Sequence, residues 1–228
     1  MTDRLRVIIE IGKQPRRVVA AAMDWPGLDR WGRDEESALA TLAAYLPRYA
    51  AVARLAGRAE QFAGAQAARM EVVERVAGSS STDFWGIAHV PSQIEGEVMD
   101  EQGLERRLDL LQAGWRYFDD VAARVSEELR LGPRGGGRSR DRIIRHVYAS
   151  ERHNWWRKVG LRADDEVRLS PQELAAFRSD YLERIRAHNA EGKPARSWPI
   201  QFLVRRTAQH VMDHAWEMED RDLSGEGA

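Results

Sequence analysis

Two histidines, His210 and His214, stand four residues apart in the stretch Arg206-Thr207-Ala208-Gln209-His210-Val211-Met212-Asp213-His214, in a chain with no cysteine. On a helix four residues turn through about 400°, so both imidazoles share one face with side chains about 5–6 Å apart. That spacing suits chelation of one divalent cation, and zinc and nickel both accept neutral imidazole. With no thiolate in the chain, a mononuclear site needs a third nitrogen or oxygen from a different element, and His146 is the best candidate. Asp213, Glu217 and Glu151 could orient a ligating imidazole by accepting from its second nitrogen, or could replace one as a ligand. Three neutral nitrogens leave the ion an open coordination position and strong Lewis acidity, enough to lower the pKa of a bound water or thiol. An HxxxH pair by itself is a weak signal, because a long helix often carries two surface histidines.

The remaining chemistry-bearing residues read more plainly. His153, seven after His146, is expected at the surface or in a pocket, and His188 near the end of its helix complements the helix dipole. His89 is expected on a strand in a structural role. Trp155, Trp156, Trp198 and Trp216 could line a pocket, but aromatics at helical spacing point to core. Arg134, Arg138, Arg140, Arg142 and Arg145 suggest a solvated helix start rather than an anion-binding cluster.

The elements that must position these residues divide near residue 98. Residues 5–11 and 16–23 are β-branched runs around Gly12-Lys13-Gln14-Pro15, which predicts a hairpin. Asp34 then caps a helix carrying Ala38, Leu39, Leu42, Leu46 and Tyr49 to about Leu55. Residues 69–77 and 84–90 read as two further strands across a Gly-Ser-Ser-Ser-Thr-Asp loop, although 69–77 could instead extend a helix. From Gly103 the pattern turns helical: Leu104, Leu108, Leu111, Trp115, Phe118, Val121 and Val125 mark one face of a helix to about Leu129. The Gly/Pro-rich stretch 131–137 breaks it. A second helix starts near Ser139 and runs to Gly160, a third opens at Ser170-Pro171-Gln172-Glu173, and a fourth follows Ser197-Trp198-Pro199 to about Asp222. The expected fold class is therefore α+β, with a small antiparallel sheet module over 1–98 and a four-helix bundle over 99–228.

Two resemblances sharpen this reading. The segment 141–152, opening Asp141-Arg142-Ile143-Ile144-Arg145-His146 and followed by Trp155-Trp156, resembles the second helix of DinB-like bundles, and 206–217 resembles their closing HxxxH helix. The resemblance covers about residues 103–222. It implies an up-down-down-up bundle, His146, His210 and His214 as ligands to a divalent metal, zinc or nickel, and transfer or isomerisation chemistry on a metal-activated low-molecular-weight thiol such as mycothiol or bacillithiol. Such an external thiol suits a chain without cysteine. Residues 5–55, with Met23-Asp24-Trp25-Pro26-Gly27-Leu28 and Trp31-Gly32-Arg33-Asp34, resemble the HicB-like antitoxin fold, here without the DNA-binding segment that usually follows. It implies a scaffold or dimerisation module, and hence a homodimer.

Composition sets the outer bounds. Hydrophobic residues make up 43% and charged residues 31% of 228, without a run that could span a membrane, and the net charge of −1 gives no general field for nucleic acid. Arg4 in the first residues leads straight into a strand-like run, so no leader is expected and the cytoplasm is the expected compartment. The expected partners are a small-molecule thiol and an electrophile. The alternative is a non-catalytic regulator that binds a partner protein through its N-terminal module, and a third reading makes the bundle an oligomerisation element.

Overall fold

A computed structural model describes residues 4–132, 137–162 and 170–225. The fold is mixed α+β. Strands β1 (Arg4–Ile11) and β2 (Val18–Ala22) form the hairpin read from the sequence, its turn closed by the Gly12 N–H donating to the Arg17 carbonyl at 2.9 Å. β3 (Asp29–Gly32) pairs antiparallel with β2, and β4 (Arg69–Ala77) pairs parallel with β1, giving the order β3-β2-β1-β4. The sheet is thus mixed rather than antiparallel. β4 lies parallel because α1 (Glu35–Leu55) and α2 (Ala59–Ala67) carry the chain back along the sheet first. Asp34 caps α1 reciprocally with Ser37, and Ala38, Leu42, Leu46 and Tyr49 pack in one core with Leu5, Val7 and Ile9 of β1.

The strand expected at 84–90 does not form. Ser79 caps α3 (Ser80–Trp85) with Thr82, and Gly86 ends it in the left-handed region at φ +69°. The backbone beyond has other acceptors than a neighbouring strand. The buried Glu10 carboxylate receives the His89 and Val90 N–H groups at 3.0 Å, Glu74 receives those of Gln93 and Ile94 at 2.7 and 3.1 Å, and Glu95 receives that of Ser92 at 2.9 Å. Three carboxylates therefore hold this segment as coil.

Helix α4 (Glu101–Arg124) buries the stripe from Leu104 to Val121. It stops five residues before the expected Leu129, where Ser126 N–H turns to Asp222 Oδ1 at 2.9 Å. α5 (Arg140–Ser150) continues into a π turn at Glu151–Trp155 and a 3-10 turn at Trp156–Val159, ending on Gly160 at φ +77°. α6 (Pro171–Ala190) opens with the Ser170/Glu173 capping box, and α7 (Ile200–Asp220) closes the chain. α7 packs against α4, α5 and α6, while α1 packs on α4, so one buried core runs from the sheet into the helices. Arg134 falls outside the described residues. No described helix is long and apolar enough to cross a membrane.

The tie between sheet and helices is ionic. Arg205 of α7, 1% exposed, places Nη1 2.7 Å from Asp29 Oδ2 on β3 and Nε 2.7 Å from Glu95 Oε1. Burial alone would lower its pKa, but the two carboxylates hold the guanidinium firmly charged. Removing one member of such a cluster strands the others without water. Arg205→Met should cost about 3–5 kcal/mol in urea unfolding, and a loss under about 1 kcal/mol, the range of an exposed pair, would contradict this account.

Candidate metal centre

The position of each imidazole follows from what holds its helix. α7 is buried along most of its length, and the N-terminal module fixes its rotation. Arg30 of β3 reaches Asp213 Oδ1 at 2.6 Å, with its guanidinium 4.0 Å from the Tyr45 ring centroid and 4.1 Å from that of Trp216. The turn before β3 lies directly on the helix: Gly27 adopts φ +95°, and a Cβ there would stand 2.9 Å from Met212 Cγ. His210 and His214 are each two residues from Met212, about 200° of helical rotation, and so face the other way, toward α5. α5 buries Ile143 and Val147 and thereby turns His146 to meet them.

The three residues named from the sequence come together. Their candidate ligand atoms all lie within 4.8 Å of one another, and His146 Nε2 stands 3.2 Å from His210 Nε2. Nitrogens at about 2.0–2.1 Å from a tetrahedral ion lie about 3.3–3.4 Å apart, so this pair already has nearly the separation a shared cation needs. His214 Nδ1 meets Glu217 Oε2 at 2.8 Å, and Arg221 steadies that carboxylate from the other side at 2.9 Å. A carboxylate on Nδ1 fixes the proton there and leaves Nε2 as the free donor nitrogen. His210 Nδ1 is buried with no partner among the described residues.

Electrostatics favour neutral rings at His146 and His210. Burial, then the charges of His214 and Arg138, pushes His146 down to about 4, while Glu217 pulls the other way. Burial and its histidine neighbours hold His210 well below the ordinary histidine value. Burial would raise the Glu217 carboxyl, but His214, Arg221 and Arg138 hold it below the usual range, so it remains an anionic acceptor. Unprotonated imidazole is the form that binds metal, and the donor set fits a divalent zinc-like ion.

Of the three carboxylates considered as orienting groups, only Glu217 serves. Asp213 is committed to Arg30, and Glu151, wholly buried in the π turn, pairs with Arg178 of α6 at 3.0 Å. The trio lines a pocket of about 740 Å³ that also takes in His89, Arg138, Trp155, Lys158, Trp198 and Arg206. His153 lines it too, as the sequence allowed, whereas His188 lies away from it with Nδ1 3.2 Å from the Pro194 carbonyl. Trp156 and Trp216 are core, while Trp155 and Trp198 form pocket wall. His89 was misread. It lies in the coil beyond α3 as part of this wall, its pKa lowered to about 4 by burial and the Arg206 charge. The missed Arg206 did leave a trace, as the second of two adjacent charges inside an otherwise apolar stretch of helix. Comparison with family models, with curated proteins and with solved structures returned no significant match for this chain.

In a competition titration with a chromophoric zinc chelator, Glu217→Gln should weaken zinc binding by about 10–100-fold without altering the circular dichroism spectrum. An unchanged affinity would remove Glu217 from the site.

Proposed function

We propose that α4 to α7 form a DinB-like four-helix bundle in which His146, His210 and His214 hold one divalent ion, zinc or nickel, and that the protein is a small-thiol-dependent transferase or isomerase. One observation carries this reading: three imidazoles from two separate helices converge at the wall of a pocket large enough for a small molecule. When bound, the ion would supply the Lewis acidity that makes a thiol an effective nucleophile at neutral pH.

The chain's own residues supply the rest. His146 and His210 stay uncharged at neutral pH and do not oppose a cation. Glu217 holds His214 in the tautomer that offers Nε2. Trp155 and Trp198, with ring centroids 6.0 Å apart, give the pocket an apolar wall that excludes water around a bound substrate. No cysteine competes for the ion, so the thiol comes from a small molecule such as mycothiol or bacillithiol, and its partner is a small electrophile. The HicB-like module acts here as a scaffold: its turn at Gly27 and its Arg30 brace the helix that carries two of the three ligands.

Purified protein should contain close to one equivalent of zinc or nickel by elemental mass spectrometry. With a low-molecular-weight thiol and a chlorodinitrobenzene-type electrophile, chelation or His214→Ala should slow thiol consumption on the order of 100-fold or more. Metal-loaded protein that consumes thiol no faster than chelated protein would refute catalysis and leave a metal-dependent regulator.

A further inference from the structure

Several residues that line the pocket beside the three histidines carry a buried nitrogen with no partner among the described residues. Arg206 is 3% exposed and carries a guanidinium whose pKa, lowered to about 10 by burial, still leaves it charged at neutral pH. Its neighbour Arg205 is matched by two carboxylates and Arg178 by Glu151, but among the described residues no carboxylate lies within salt-bridge distance of Arg206. Nη1 meets only the neutral Gln209 Oε1, and Nε is buried and unpartnered. Gln209 Nε2 in turn donates to Asp213, so the nearest carboxylate is reached only through a neutral amide, and a buried cation without a direct ion pair is costly.

Arg206 is not alone. Arg138 Nη1, Trp155 Nε1 and His89 Nε2 are also buried without partners among the described residues, and all four residues line this one pocket. Arginine and tryptophan side chains can only donate, and a neutral histidine can present either nitrogen as a donor, so the set calls for an acceptor-rich group. Lys158 adds a further cation at the wall, its Nζ 3.5 Å from the Trp198 ring centroid.

We infer that this pocket binds the carboxylate of a small organic acid, with Arg206 as its buried counter-charge and Arg138, Trp155 and His89 as further donors. The planar guanidinium suits two carboxylate oxygens, and the Trp155 and Trp198 rings leave an apolar wall for the rest of the acid. This names a substrate class for the pocket assigned above and rests on that assignment, but it requires no bound ion.

Chelator-treated full-length protein is titrated by calorimetry with benzoate, succinate, the neutral isostere benzamide and inorganic phosphate. At least one of the two acids should bind saturably, benzamide should bind about 10-fold or more weakly than benzoate, and Arg206→Gln should weaken the acid by a similar factor while leaving the zinc content of the protein as purified, before chelation, unchanged. His210→Ala should lose zinc yet keep the acid, which separates this inference from the metal assignment. No saturable binding of either acid, benzamide equal to benzoate, phosphate tighter than both acids, or Arg206→Gln binding like the parent would each overturn it. If Arg206→Gln does not fold, the benzoate–benzamide comparison on the unaltered chain decides.

Discussion

Arg205, enclosed by Asp29 and Glu95, is the interaction on which the placement of everything else depends. It lies on α7, which also bears His210, His214 and Arg206, and its two partners belong to the sheet and to the short 3-10 turn Ile94–Gly96. A buried three-member ion cluster tolerates little sliding or rotation, because any displacement leaves a charge unpaired in a medium that cannot solvate it. Arg30 on Asp213 and the Gly27 turn on Met212 add the same constraint about two turns further along. These contacts from β3 and the turn before it thus act on the histidine site by fixing the rotation of the helix that carries two of its three imidazoles.

That arrangement divides the charges of α7 sharply. Arg205 is neutralised and structural, whereas Arg206, one residue on, lines the pocket with no carboxylate within salt-bridge distance among the described residues. The imidazoles next to it are pressed toward the neutral state by burial and by each other. A pocket that combines uncharged nitrogen donors at one wall with unpaired N–H groups at another can take a cation and an anion side by side.

Much of this was legible in the residues, and the failures have physical causes. Capping signals at Asp34 and Ser170, the hairpin turn and the apolar stripe of α4 marked their elements well, because local hydrogen bonds and one-sided burial decide them. The three histidines could be paired across 64 residues since helical spacing and the absence of cysteine left few other ligands. The short β3 was invisible because Asp29-Arg30-Trp31-Gly32 carries no alternation, its inclusion coming from pairing with β2 and the ion pair of Asp29. The strand expected at 84–90 failed for a related reason: its β-branched and aromatic residues fit a strand, but Glu10, Glu74 and Glu95 capture the backbone donors around it. His89 and Arg206 reach the pocket only through tertiary packing, which no local pattern encodes.

The central claim, three imidazoles from two helices sharing one ion, is tested most directly by X-ray absorption at the metal edge on zinc-reconstituted protein. The expected spectrum has three imidazole nitrogens at about 2.0–2.1 Å with their outer-ring scattering and one further light ligand, and on addition of a small thiol that light ligand gives way to one sulfur at about 2.3 Å. A shell dominated by oxygen, or one containing a single imidazole, would contradict the site described.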